Sequence, residues 1–479
     1  MFRKHALFFF IFILLSSFLS GCSDILDPGI VKEPAVAGLF YSADKERLRN
    51  TVDGFLSQAK NQPVDGRLIA LISPHAGYEY SGSIAAYAYN HLKEEDIETI
   101  ILIGPSHYKT FNGASVFEKG KWKTPLGQVK IDHEIASMLL NKDADVTYFP
   151  EAFEKEHSLE VQVPFIQRIF KKIKIVPVLI GTPTNRSYRF LTSKLTEILR
   201  ENKKAIIIAS TDFSHYHDYK TAMGKDGLTV DGIERMSLED VQKYLVSGRG
   251  EMCGSNPVLY TMTVARNLGA TNGVLYKYAN SGDVTGDMNR VVGYAAMGLY
   301  RSPVTESGKS ALLRLAEETI TKYVKDGRVP EVVMNNKRLK ANGATFVTIK
   351  TEHGRLRGCI GNIEPTMPLY QSVIHNAVSA SSRDTRFQPM KEKDLEGIEV
   401  EVTILSPLEP LKDKKAVEIG KHGLYLVKDY RSGILLPQVP VEQGWDRNTF
   451  LKQVSKKAGL SEDAWKDADL YSFTAEIIK

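Results

Sequence analysis

The sequence predicts a layered α/β domain with a largely parallel sheet, followed by a smaller α+β domain. Three observations carry that reading. Short apolar runs at 67–73 (RLIALIS), 99–104 (TIILIG), 174–180 (KIVPVLI) and 205–210 (AIIIAS) are rich in β-branched and aliphatic residues, as strands buried on both faces are. Helical segments alternate with these runs, which is the grammar of a parallel sheet. Beyond residue 310 the pattern changes to hairpins and separate helices. At 479 residues the chain exceeds one ordinary core, so two or three domains are expected.

Composition narrows the function classes. Hydrophobic content of 43% and charged content of 25% are those of a globular protein, neither disordered nor multiply membrane-spanning. The formal charge is +5, of which Arg3 and Lys4 contribute two. That near balance gives no clustered basic face, so no nucleic-acid partner is expected.

The first 22 residues read as a targeting segment. Arg3 and Lys4 form a basic start, 6–18 is an apolar stretch too short to span a bilayer comfortably, and small residues follow. The ending Leu19-Ser20-Gly21-Cys22 resembles the lipobox of bacterial lipoproteins, which implies lipidation at Cys22. Several acyl chains on one residue suffice for stable anchoring, so the body is expected outside the cytoplasm, tethered to a bacterial membrane. Ser23 after the cysteine is compatible with an outer-membrane or surface location by the sorting pattern of such proteins. Cys253 and Cys359 then remain, and because they lie on opposite sides of a domain boundary they are expected to stay unpaired.

In chain order, a short tether precedes an amphipathic helix at 45–59. Next come the first strand, a helix at 81–92 with Ile84, Ala85 and Ala88 on one face, and the second strand. After the strand at 174–180, a helix over 191–200 leads to the strand at 205–210. The first domain, 34–302, closes on a buried strand at 291–300 (VVGYAAMGLY). Polar residues with Pro and Gly place a linker at 303–310. The second domain, 311–479, begins with a helix at 311–324. A hairpin of 345–350 and 355–360 follows, turning at Glu352-His353-Gly354, then a helix at 369–380 with Leu369, Val373, Ile374 and Ala377 on one face. Ile398, Val400, Val402 and Ile404 alternate with Glu399, Glu401 and Thr403, which reads as a half-buried strand.

Chemistry concentrates at strand ends. His75, His107 and His215 each follow an apolar run directly or within five residues, and ligands in α/β sheets bind at the carboxyl ends of strands. Three imidazoles on one rim could converge on a metal. His157, in Glu156-His157-Ser158-Leu159-Glu160, stands at the start of a helix expected to reach Phe170. Cys253 stands just before a helix at 258–267. Imidazole and thiolate suit iron, copper or zinc, and an open coordination position would make such a site catalytic. Asp212 is a candidate for orienting an imidazole. His91 and His133 read as surface residues, and His217 as solvent-facing.

The segments ISPHAGYEYSG, GPSHY, KTPLG, EHSLEVQVPF, VPVLIG, STDFSHY, MCGSNPV and VGYAA resemble the Memo family over residues 34 to about 302. That family is similar in fold to class III extradiol dioxygenases and binds metal. The resemblance implies His75, His107 and Cys253 as direct ligands, His215 close to the metal or on it, and His157 as a pocket residue able to move protons. It departs from ring-cleaving extradiol enzymes in placing Cys253 where their carboxylate ligand stands, and thiolate favours copper or zinc more than a carboxylate does. The expected cofactor is a transition metal ion, iron or copper first and zinc next. His157 or His215 would be the general base. The implied activity is a metal-dependent oxidoreductase on a small molecule. The alternative is a non-catalytic module that binds metal or an envelope protein.

Leu356-Arg357-Gly358-Cys359-Ile360-Gly361, with Ser382-Arg383-Asp384-Thr385-Arg386-Phe387, Leu435-Leu436-Pro437-Gln438-Val439 and Gln443-Gly444-Trp445, resembles the AMMECR family over about 308 to 479. Cys359 near Arg357 is a candidate nucleophile, since positive charge lowers a thiol pKa. In the competing reading its glycines permit close backbone approach and the thiol is a small buried apolar group. Glu399 and Glu401 are either solvated or line a cleft with Arg383 and Arg386. Proteins similar to both halves belong to the AmmeMemoRadiSam group, whose third member is a radical SAM protein, and their fusion implies a common substrate or partner.

Overall fold

The structure, a computed structural model, describes residues 30–411 and 413–479. Residues 1–22, read above as a targeting segment ending at a lipobox-like Cys22, fall outside the described residues. Among the described residues no helix is long and apolar enough to cross a membrane.

The first domain runs α1 (Lys45–Gln58), β1 (Arg67–Ser73), α2 (Tyr78–Asn90), β2 (Thr99–Pro105), β3 (Lys174–Ile180), α3 (Asn185–Glu201), β4 (Ala205–Ser210), α4 (Tyr219–Glu234), α5 (Ser255–Asn267), β5 (Asn272–Asn280) and β6 (Val291–Arg301). Strands β3, β2, β4 and β1 are neighbours in that order and all parallel. β6 pairs antiparallel with β1, and β5 with β6, within a mixed sheet of 12 strands. Leu71, Ile72, Ile101, Leu102, Ile207 and Ile208 are fully buried. Helices on both faces leave no side of these strands wet, which is why their apolar runs are unbroken. Because β2, β4 and β1 are adjacent and parallel, their carboxyl ends share one rim.

Side-chain caps set helix starts that periodicity alone places too late. Thr184 and Ser187 cap each other's backbone in a capping box, so α3 begins at Asn185 rather than 191. The helix expected from His157 is not formed. Residues 160–162 make one 3₁₀ turn, and the α-helix is Val163–Ile169 with Pro164 in its first turn. A helix begun at His157 would bury Pro164 in its interior, where it lacks an N–H and clashes with the preceding turn. His157 is thereby left on a loop.

The second domain begins earlier than its apolar pattern. Thr305 accepts a hydrogen bond from the Gly308 N–H and starts α6 (Glu306–Asp326), so much of the segment read as linker is already helix. It continues with β7 (Ala344–Lys350), β8 (Leu356–Gly361), α7 (Leu369–Ser382), β9 (Glu399–Leu405), β10 (Gly423–Lys428), β11 (Arg431–Leu435), α8 (Arg447–Lys457), β12 (Asp469–Phe473) and β13 (Ala475–Ile478). One antiparallel sheet has the order β8-β7-β9-β13. The other joins β12, β10 and β11, with the two-residue strand Glu409–Pro410 on β12. Helices α6 and α7 cover the first sheet with Leu312, Ile320, Val373 and Ala377, while α8 covers the second with Phe450, Leu451 and Val454.

β9 is buried on both faces rather than half-buried. It is central, between β7 and β13, and Glu401 and Thr403 are covered with the rest. Glu401 is charge-compensated by Lys350 at 2.8 Å and Lys479 at 3.0 Å, as a buried carboxylate must be. It does not join Arg383 and Arg386.

Candidate metal centre

Ser73 ends β1 and Pro105 ends β2, so His75 and His107 enter the common rim on either side of β4. Each ring has one nitrogen fixed. His75 Nδ1 lies 2.9 Å from Ser210 Oγ. That hydroxyl donates to the Ser158 carbonyl at 2.6 Å and accepts from Gln162 Nε2 at 2.9 Å. Its single proton is committed, so His75 Nδ1 carries the hydrogen and Nε2 keeps a free lone pair. His107 donates its backbone N–H to Glu156 Oε2 at 2.6 Å and its Nδ1–H to Oε1 at 2.9 Å. The His107 Nε2 is likewise bare, in the carboxylate–histidine arrangement typical of metal ligands.

Cys253 arrives from the loop before α5, its Sγ 3.1 Å from His75 Nε2 and accepting the Asp212 N–H at 3.2 Å. A Cβ at Gly254 would stand 2.5 Å from the Ser210 carbonyl oxygen, so only glycine lets α5 press onto the end of β4 and deliver the sulfur. The ligand atoms of His75, His107 and Cys253 all lie within 4.8 Å of one another. His107, Glu156 and His157 form a second such group, but the Glu156 carboxylate already accepts four N–H bonds, from His107 twice and from His157 and Ser158. With about four acceptor sites on a carboxylate, it supports the rings and has no lone pair to offer.

Electrostatics sharpens the donor set. Burial, reinforced by the His107 ring, pushes His75 down to about 3. Burial and His75 push His157 down to about 4. Burial works upward on Glu156, but the hydrogen bond and charge of His107 outweigh it and hold the carboxyl at about 2. Burial and the Asp212 charge push the Cys253 thiol up to about 12. The His75 ring is therefore a neutral lone-pair donor. The thiol keeps its proton until a cation displaces it, as a coordinated divalent ion does outright.

The other expected residues distribute unevenly. His157 stacks on His107 with ring centroids 4.7 Å apart and meets His75 edge-on at 5.4 Å. Its Nδ1 is buried without a hydrogen-bond partner. His215 falls outside both ligand groups, although its charge bears on His75 and Asp212, and its backbone donates to Glu251 at 3.1 Å. Asp212 does not orient an imidazole. It accepts the backbone N–H of His75 at 2.7 Å, while Glu156 and Ser210 hold the rings. His217 bonds Glu251 at 2.8 Å, and His133 is exposed. His91 is half-buried rather than superficial, stacked on Tyr276 at 3.8 Å. Ser210 and Gln162 lie within the STDFSHY and EHSLEVQVPF segments, but nothing in those segments singles them out as ring partners, whereas Glu156 could have been found from its place beside His157.

In the second domain, Cys359 donates its N–H to Asp384 Oδ2 at 2.9 Å, and its sulfur accepts from Thr348 Oγ1 at 3.2 Å. A Cβ at Gly358 would stand 2.1 Å from the Ala380 carbonyl oxygen, because α7 lies directly on β8. Arg357 pairs with Asp394 at 3.1 Å, and the cation beside Cys359 is Arg386, itself held by Asp384 at 2.7 Å. Burial dominates and raises the thiol. Both described cysteines are unpaired.

Two family models match the chain, one for Memo-like protein over residues 32–298 and one for AMMECR1 over 313–478. A MEMO1 family protein of Methanopyrus kandleri is 37% identical over 286 residues, covering 56% of this chain and 98% of that protein. MEMO1 family proteins of Caldivirga maquilingensis (36%; 57% and 100% covered) and Sulfolobus acidocaldarius (36%; 56% and 99% covered) are similar to the same extent. Among solved structures, an uncharacterized protein from Pyrococcus horikoshii is 36% identical with a TM-score of 0.35, covering 36% of this chain and 92% of that one.

Proposed function

Because the chain belongs to the Memo family and carries an AMMECR1 domain behind it, we propose that His75, His107 and Cys253 hold a transition metal in a metal-dependent oxidoreductase acting on a small molecule. One observation carries the reading. Two imidazole lone pairs and a thiol converge within 4.8 Å, and the remaining ring nitrogens are already fixed by Ser210 and Glu156. Two imidazoles and a thiolate suit copper and iron, and zinc after them. A bound redox metal would supply electron-transfer and oxygen-activating chemistry.

The chain's residues have separable tasks. Glu156 and Ser210 orient the rings. His157, neutral at physiological pH and carrying the unpartnered Nδ1, can take a proton from a molecule entering on the half-exposed His107 side. His215, whose charge bears on His75, would be a second group able to move protons. Lipidation at Cys22 would place this centre outside the cytoplasm on a membrane anchor.

A second reading, a metal-holding or protein-binding module without turnover, is favoured by the soft sulfur ligand and by Glu156, whose saturated carboxylate cannot supply an oxygen ligand. Elemental analysis of protein purified without oxygen, beside Cys253→Ala, tests both. Stoichiometric iron or copper lost in the variant, together with oxygen consumption by the wild type, is the expected outcome. Stoichiometric metal without oxygen consumption would favour the second reading. Wild-type protein free of transition metal would overturn the oxidoreductase and the metal-holding module alike, leaving only protein binding.

A further inference from the structure

At the edge of the sheet opposite the metal centre, cations outnumber carboxylates. Arg67 opens β1 and Arg301 closes β6, and the two face each other directly across the antiparallel ladder. Like charges in that relation cost free energy. Lys203 stands just before β4, and Arg200 lies in the last turn of α3. All four line one cleft of about 140 Å³, with Glu95 and, from the second domain, Glu409. Four cations against two carboxylates leave an excess of two positive charges. Arg200 donates to the Asn267 carbonyl at 3.0 Å. Among the described residues Arg67, Lys203 and Arg301 have no side-chain hydrogen bond or ion pair. Burial and the neighbouring arginines push the Lys203 ammonium below its usual range.

An independent observation stands at the same domain boundary. Arg301 also lines a second cleft of about 320 Å³, shared with Arg338. Arg338 donates from Nε to the Ser302 carbonyl at 3.2 Å, but its Nη1 is buried with no partner. Glu476, whose charge acts on it, is engaged by Lys309 at 2.5 Å. A buried guanidinium nitrogen without an acceptor is costly, and here too the missing element is negative charge.

We propose that the domain boundary binds a phosphate group in the cleft formed by Arg67, Arg200, Lys203 and Arg301, with Glu409 as the competing carboxylate that the ligand displaces. The cleft holds roughly five waters by volume, which admits one phosphate group and leaves an esterified remainder outside. Guanidinium forks match phosphate oxygens in pairs, and the lysine adds a point charge. The contribution of Glu409 makes occupancy sensitive to how the two domains sit together, a property separate from the metal centre.

Calorimetric titration of the full chain with inorganic phosphate, at ionic strength held constant with chloride, tests this. Saturable binding by the wild type is expected, weakened at least tenfold in Lys203→Ala and tightened severalfold in Glu409→Gln. Unchanged melting temperatures in chloride show that both variants are folded, as expected for substitutions at exposed or half-exposed positions. AMP binding tighter than phosphate would identify a phosphate ester as the ligand's source, and weaker binding the free ion. Phosphate binding no stronger than chloride, or identical in all three proteins, would overturn the proposal.

Discussion

Each domain places a glycine-adjacent cysteine where a helix presses on a strand, and the two sulfurs meet opposite neighbours. Gly254 lets α5 reach the end of β4, and Gly358 lets α7 lie on β8. Burial raises both thiols. Cys253, however, faces the bare Nε2 of His75, whereas Cys359 accepts a hydrogen bond from the Thr348 hydroxyl. A cysteine beside glycine therefore says little about chemistry. What separates a ligand from a packed thiol is whether its neighbours offer lone pairs whose companion atoms are already committed.

The largest effects should come from the glycines. Gly254→Ala and Gly358→Ala each drive a methyl group into a backbone carbonyl, and overpacking of this kind costs up to about 3 kcal/mol. Denaturant unfolding should show comparable losses, but elemental analysis should find metal missing only from Gly254→Ala. Equal metal retention in the two would break the comparison.

The supporting carboxylates come next. Glu156→Gln removes the charge and replaces one of the two oxygens that fix His107 with an N–H donor, and loss of such a partner weakens metal binding by about 10–100-fold. Asp384→Asn, the corresponding change beside Cys359, should leave metal affinity in a chelator competition unchanged. A drop in affinity there would mean that the two cysteines share one function.

The smallest effect is a pH dependence. Hydrogen bonds from Arg386 hold Asp384 at about 2, below its unfolded value of about 3.9. A depressed folded pKa contributes stability that is present above about pH 4 and fades as pH falls toward 2. Acid unfolding of the second domain should therefore be shallower in Asp384→Asn, whose side chain does not titrate. An identical acid transition in variant and wild type would show that Asp384 does not set it.

The strands were legible because parallel strands covered on both faces must be continuously apolar, and the runs at 67–73, 174–180 and 205–210 match β1, β3 and β4 residue for residue. Helix starts were less so, since Thr184 and Thr305 act through side-chain caps that precede any periodicity. β9 misled because Glu401 mimics a solvent face while being neutralised by lysines distant in sequence. At the centre, strand-end position singled out His75 and His107. The partners that fix their rings, Ser210 and Glu156, come together only through strand order and loop return. No local pattern encodes that.

The two histidine-bearing strands are separated by β4 and so stand two ladder spacings apart, about 9.6 Å, yet the His75 and His107 rings approach to 5.2 Å. Each ring therefore reaches inward from its own strand end, and Ser210 and Glu156 hold it at that reach. Such a centre behaves as a calliper locked before its object arrives. Any candidate ion would meet hydrogen bonds already made around the rings, so the choice among ions would fall to donor chemistry.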